Sequence, residues 1–392
     1  MLDFTFYNHT KIVFGKTAYK QLGPELKRNH AGKVLLHYGG GSIRRNGLLK
    51  IVRNELRDAR LSFIELEGVQ PNPRLSLVYT GIQMCRAEHV DFILAVGGGS
   101  VIDSAKAIAA GCTLDENEDI WDYYMDSDKL LLQSLPVGVI LTLPATGSES
   151  SNSSVITDEA TQTKRSIEQE AVIPRFALLN PEITFALPPY QTACGAADII
   201  SHMMERYFTQ VPANDLTDRL IEAGIRTILF QTPKVFQDTA DYDARAEIMW
   251  TGTIAHNGLL NSGRIGDWAS HMIEHELSGI YDIAHGAGLA IIFPAWMKYV
   301  YRENPAKFLQ FSHRVFDIDL DYMDEKATIM SMIQKLENFF SSIGLPTRLM
   351  QVGIDDRYFE RMAEKALVNR GTIGNFRRLG KEDIIKIFKL SL

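Results

Sequence analysis

The chain has 392 residues, 45% of them apolar and 23% charged, with a formal net charge of −7. That length exceeds what a single hydrophobic core fills, so two domains are expected, and the ordinary composition excludes a disordered or fibrous chain. Net acidity without a basic run argues against nucleic acid as a partner, and no apolar run approaches the roughly 18 residues of a membrane span.

The opening MLDFTFYNHTKIVFG interleaves polar and aromatic residues and lacks the apolar core of a signal peptide. Cys85, Cys112 and Cys194 are widely spaced without a CxxC pair. A cytoplasmic protein with inert thiols is the expectation. From Lys33 to about Asn180, short apolar runs at 33–38, 62–66, 91–96, 137–143 and 176–180 alternate with helix-length stretches, the pattern of a parallel α/β sheet. Pro181, Pro188 and Pro189 then punctuate the chain. Beyond them apolar residues recur at three- and four-residue spacing through 190–208, 215–231, 242–260, 268–279 and 286–300, which predicts helices. The expected organisation is a dinucleotide-binding α/β domain over 1–183 and a helical metal-binding domain over 184–392, with ligands in a cleft between them.

Three segments of the first half suit a nucleotide. In DFILAVGGGSVIDSAKAIAAG (91–111), Gly97, Gly98, Gly99 and Ser100 join a strand to a helix. Free amides and the helix dipole there favour a pyrophosphate, with Asp103 one turn in, facing a ribose or the nicotinamide amide. In HYGGGSIRRNG (37–47), Gly39, Gly40, Gly41 and Ser42 follow the first strong strand, where an acid would favour NAD. No acid stands there, and Arg44 and Arg45 are close by, so NADP(H) is expected in preference to NAD(H). The loop LTLPATGSESSNSSV (141–155) adds Thr142, Thr146, Gly147 and Ser148 at a strand end.

The second half carries a candidate metal site. Asp198 and His202 stand four residues apart on one helix face, and GDWASHMIEHELSGIYDIAHGAGLAIIFP (266–294) supplies His271, His275 and His285. Three imidazoles and one carboxylate suit Fe²⁺, Zn²⁺, Ni²⁺ or Mn²⁺. These five residues compete for about four protein positions, with His256 a poorer sixth, and spacing does not choose among them. His271 and His275 share a face, so both could bind, or one could bind while the other donates a proton. Gly286 and Gly288 allow close backbone approach after His285.

Taken together, GGGSxxDxxK after a strand, a TGSE loop, DxxxH and DWxxHxxEHxLSxxxDxxHGxGLA, in this order over about residues 5–300, resemble the iron-containing (group III) alcohol dehydrogenases. YGGGSIRRNG and GVQPNP point to the butanol dehydrogenase-like branch. The resemblance implies a dehydroquinate synthase-like fold and one divalent metal, Fe²⁺ first and Zn²⁺ second, on Asp198, His202, His271 and His285. It leaves His275 unbound, as a histidine near the nicotinamide for proton relay or substrate contact. It also implies cofactor phosphates on Gly98, Gly99 and Ser100, with contacts from Asn72, Asp103, Thr142, the TGSE loop, Lys164 and Leu179. A homodimer that prefers NADP and reduces short-chain aldehydes is the family pattern. Two departures stand out: the loop reads LPATGSES where the family usually has TAGTGSE, which loosens the register of Thr142, and Asn180 stands where Asp is common.

The expected reaction is reversible hydride transfer between NADP(H) and a short-chain primary alcohol or aldehyde such as butanol or butanal. With one carboxylate against three neutral imidazoles, the site is expected to stay net positive and favour an alkoxide. The rival within enzymes is an NAD- and metal-dependent lyase of the dehydroquinate synthase type, whose phosphate- and carboxylate-bearing substrate would need a basic pocket.

Overall fold

The computed structural model describes residues 1–392 and divides into two compact units. One is Tyr7–Leu187 with Thr239–Gly258; the other is Met1–Phe6, Pro188–Asp238 and Leu259–Leu392. The main division thus falls at 187/188 and not at 183/184, and the chain is not cut only once. Met1–Phe6 joins the helical unit and Thr239–Gly258 the α/β unit, which periodicity along the chain cannot reveal.

The strands of the first unit are β1 (Lys11–Phe14), β2 (Lys33–Tyr38), β3 (Ser62–Leu66), β4 (Phe92–Gly97), β5 (Val137–Leu141), β6 (Ser153–Asp158), β7 (Thr163–Glu168) and β8 (Phe176–Leu179). All except β6 and β7 form one parallel sheet in the order β1-β8-β5-β4-β2-β3. Strands β4, β5 and β8 are buried along their whole length, which explains their unbroken apolar runs. Three strands and the helices beyond residue 300 were not expected from the sequence. Strand β1 is a four-residue edge strand, and the antiparallel β6–β7 hairpin is rich in Ser, Thr and charged residues, so it reads as a polar loop.

Helices α1 (Leu22–Arg28), α2 (Ser42–Arg45), α3 (Leu48–Asp58), α4 (Leu75–Ala87), α5 (Gly99–Gly111) and α6 (Ile120–Met125) complete most of this unit. From β2 the chain moves outward to β3, then returns past β2 to β4 and continues the other way to β5 and β8. The direction of winding therefore reverses between β2 and β4, and ligands of open α/β sheets bind outside the carboxyl ends of the strands at such a point. Gly39–Ser42 and Gly97–Ser100 follow those two strands. His37 on β2 joins them from within: burial pushes it down to about 4, and its ring meets Leu66 O at 3.0 Å and Ser104 Oγ on α5 at 2.9 Å.

The second unit is helical: α7 (Pro189–Tyr207), α8 (Asp215–Gln237), α10 (Ala269–Tyr281), α11 (His285–Val300), α12 (Pro305–Phe316), α13 (Glu325–Ser342), α14 (Phe359–Ala366) and α15 (Lys381–Leu390), whereas α9 (Tyr242–His256) belongs to the α/β unit. Helix α7 packs on α8 and α11, and α10 on α11 and α14. No helix is long and apolar enough to cross a membrane. The end of α7 is held by Arg264, whose side chain has no exposure. Its guanidinium donates to Arg206 O at 3.0 Å, Asn214 O at 3.1 Å and Asp218 Oδ1 at 2.9 Å. Arg264→Ala leaves Asp218 Oδ1 and two buried carbonyls without this donor, while Lys307 and Gln310 still hold Asp218 Oδ2; we expect a loss of about 3 kcal/mol, read as a lowered denaturant midpoint at constant slope.

Candidate active site

Helix α7 carries Asp198 and His202, α10 carries His271 and His275, and His285 opens α11. Their arrangement depends on a close helix contact. A Cβ on Gly286 would stand 2.1 Å from Cys194 O, so only glycine lets the first turn of α11 lie on the backbone of α7. That contact brings His285 to Asp198. The Asp198 Oδ1 atom lies 3.3 Å from His202 Nδ1, 3.9 Å from His271 Nε2 and 3.7 Å from His285 Nε2.

Asp198 Oδ1 and His271 Nε2 are buried and have no hydrogen-bond partner. Buried polar atoms are seldom left so, and two acceptors facing each other without a bond indicate a third participant. Ligand atoms about 2.1 Å from one tetrahedrally bound ion stand about 3.4 Å apart, close to these separations. Asp198, His202, His271 and His285 therefore fit a single divalent metal. His275 falls in a second grouping with Glu274 and His285, its ring 5.6 Å from that of His285. His256 is on α9 in the other unit, where its Cβ lies against Gly147.

Two carboxylates that the sequence reading passed over set the imidazoles. Glu205, one turn past His202 and fully buried, meets His271 Nδ1 at 2.8 Å and also accepts from the backbone of His271 at 3.0 Å and Trp268 at 2.6 Å. Glu274, also fully buried, accepts a short hydrogen bond from His285 Nδ1. Each carboxylate fixes the Nδ1–H tautomer and turns Nε2 towards Asp198. Burial opposes protonation of His271, but Asp198 and Glu205 outweigh it and raise the ring to about 9. The expected net positive site is corrected here. Asp198, Glu205 and Glu274 together would more than balance a dication, two of the three acting from behind the imidazoles.

In the α/β unit the glycine turn after β4 is packed by the TGSE loop. A Cβ on Gly99 would stand 2.5 Å from Thr146, and one on Gly98 3.1 Å from Leu143. The loop itself is tied down from below. Asp103 accepts from Ser148 Oγ at 2.5 Å and from Val155 N at 3.1 Å, so its carboxylate supports the loop, and a direct cofactor contact would compete with these bonds. Burial raises Asp103 to about 6 against the pull of Lys106, and lowers Lys106 to about 8 against that of Asp103. The Lys106 ammonium, wholly buried, donates to Ser151 O at 2.8 Å and Ser153 O at 2.7 Å. Thr253 on α9 donates to Glu149 Oε1 at 2.6 Å. Lys106 and Thr253 thus belong to the site's support, and the GGGSxxDxxK spacing alone pointed to the first of them.

The other expected positions lie nearby in the chain's own framework. Thr142 follows β5 and donates its amide to Gly97 O at 3.0 Å, Leu179 ends β8, and Lys164 Nζ donates to Asn72 Oδ1 at 3.1 Å. After β2, Arg44 is paired with Glu67. NADP(H) is expected from the sequence because no acid follows β2 in the chain; the fold supplies one, Glu67, the residue directly after β3.

A profile described as iron-containing alcohol dehydrogenase matches residues 9–181, and one described as the C-terminal part of the Fe-containing alcohol dehydrogenase family matches residues 192–392. The chain belongs to the iron-containing alcohol dehydrogenases. It is 44% identical to the probable NADH-dependent butanol dehydrogenase 1 of Bacillus subtilis over 392 residues, covering 100% of both chains. It is 37% identical to the NADPH-dependent aldehyde reductase YqhD of Escherichia coli over 93% of each. The crystal structure of NADH-dependent butanol dehydrogenase A from Thermotoga maritima superposes with a TM-score of 0.96 at 40% identity, covering 100% of this chain and 99% of that one. The fold is the dehydroquinate synthase-like fold of this family, and the protein is an NAD(P)-dependent oxidoreductase acting on alcohols.

In an iron-containing alcohol dehydrogenase built this way, the two glutamates would influence metal affinity from behind the imidazoles. Glu274→Gln and Glu205→Gln are each expected to weaken Fe²⁺ or Zn²⁺ binding about 10- to 100-fold, measured by chelator competition on protein whose circular dichroism is unchanged. Unaltered affinity in both variants would remove them from the site.

Proposed function

We propose that the protein catalyses reversible reduction of short-chain aldehydes such as butanal to primary alcohols, with NAD(P)H and one divalent metal, Fe²⁺ or Zn²⁺. The observation that carries this reading is the convergence of three imidazole nitrogens on a buried, unbonded Asp198 oxygen. Asp198, His202, His271 and His285 would hold the ion, with Glu205 and Glu274 orienting two of the rings. When bound, the metal polarises the substrate carbonyl as a Lewis acid and the reduced nicotinamide provides the hydride. Buried, oriented donors need little rearrangement as charge develops on the substrate oxygen.

We assign His275, beside but outside the ligand set, to pass a proton to the alcohol oxygen in reduction. The nucleotide is assigned to the β2–β4 switch point, with its pyrophosphate on the amides of Gly98, Gly99 and Ser100 and its adenosine ribose beside Gly39–Ser42. Thr142, Thr146, Ser148 and Leu179 edge the same strand ends, and Asn72 and Lys164 form a buried pair near the hairpin. The names of the relatives support butanal as the first substrate to try and divide between NADH and NADPH.

Chelator-stripped protein is expected to lose butanal reduction and to regain it on addition of Fe²⁺ or Zn²⁺. His202→Ala should lower kcat/KM at least about 10²-fold, because weakened metal binding forfeits part of the several kcal/mol of charge stabilisation that a Lewis acid supplies. His275→Ala should lower kcat while leaving metal content intact. Metal-restored protein inert towards a panel of short alcohols and aldehydes would favour the lyase in place of this reading.

A further inference from the structure

Three parallel strands end side by side on the nucleotide side of the sheet. Val96 on β4 pairs with Tyr38 on β2, and His37 pairs with Leu66 on β3. Glu67, the residue after Leu66, therefore comes level with Tyr38, one strand spacing of roughly 4.8 Å beyond the ribose position assigned to the end of β2. The loops stay together past the strand ends, where Gly68 N donates to Gly39 O at 3.4 Å.

The charges at this rim are few and mostly committed. Arg53 is held by Glu65 through two hydrogen bonds of 2.8 and 2.6 Å, and Tyr38 adds a third at 2.8 Å. Arg44 is held by Glu67. Arg45 folds back over the glycine turn, its Nη1 atom 2.7 Å from where a Cβ on Gly41 would stand. The Arg44 and Glu67 side chains are 52% and 55% exposed, so a ligand can reach the pair.

We propose that Glu67 is the residue that discriminates between the two nicotinamide dinucleotides, by occupying Arg44 and by opposing a 2′-phosphate with its own charge, so that the protein favours NADH. The proposal rests on the placement of the adenosine ribose beside Gly39–Ser42. NADH brings a neutral hydroxyl to this rim, which a carboxylate tolerates or accepts from. NADPH brings a phosphate monoester carrying close to two negative charges, which must draw Arg44 away from Glu67 and remain near the carboxylate. A single charge about 6 Å from a doubly charged group in water changes binding by about tenfold, and salt reduces the effect because the pair is exposed.

The test is equilibrium binding of NADH and NADPH by nicotinamide fluorescence in the metal-loaded protein, alongside kcat/KM for each with butanal. Wild type, Glu67→Gln, Arg44→Gln and the double variant are compared at low and high salt. Wild type should bind NADH more tightly. Glu67→Gln should shift the ratio of the two Kd values about tenfold towards NADPH, the shift should shrink at high salt, and adding Arg44→Gln should remove most of it. A ratio unchanged within twofold in Glu67→Gln, with both nucleotides still bound, overturns the proposal and leaves the nucleotide site standing. Tighter NADPH binding in wild type also overturns it. Failure of either nucleotide to bind saturably overturns the site assignment, and the proposal with it.

Discussion

The helical unit is organised around an electrostatic requirement: a buried carboxylate oxygen faces three imidazole nitrogens and bonds to none. In an apolar interior such groups are costly unless a cation joins them. Much of the surrounding structure follows from meeting that need. The glycine contact of α11 on α7 brings the third imidazole within reach, Arg264 fixes the end of α7, and Glu205 caps the start of α10 while orienting His271. The same carboxylate thus performs a folding task and a ring-orienting task, which ties the placement of the imidazole to helix geometry.

The α/β unit solves a different problem, that of keeping a polar loop rigid at the end of a buried sheet. Its means are a buried lysine and two buried acids, Asp103 and Glu149, whose partners are mainly hydroxyls and backbone groups of the TGSE loop and hairpin. Ionic groups removed from water stabilise little by themselves, but they fix one arrangement because any other leaves a charge unpaired. The loop is thereby held against the Gly98–Gly99 turn, so the amides of that turn and the hydroxyls of Thr146 and Ser148 share a defined geometry.

Much of this was legible along the chain. Unbroken apolar runs marked β2, β4, β5 and β8 because strands buried on both faces need no alternation, and the three- and four-residue spacing marked α7, α8, α10 and α11. The candidate ligands were visible because imidazoles rarely cluster without a reason. What escaped had separate causes. Strand β1 is too short for a period, the β6–β7 hairpin is too polar to look like a strand, and α9 has a helical pattern that does not say which unit it joins.

By itself the sequence determined the family, the parallel sheet followed by helices, and the residue types able to hold a metal and a pyrophosphate, because these are carried by local periodicity and short ordered motifs. Tertiary structure alone decided which donors meet. It selected His285 as the third imidazole on Asp198, recruited Glu205 and Glu274 behind the imidazoles, and laid Glu67 after one strand against Arg44 after another. Charge balance and specificity depend on distances of a few ångströms between residues far apart in the chain. Such distances are fixed by sheet order and helix packing, which no local pattern encodes.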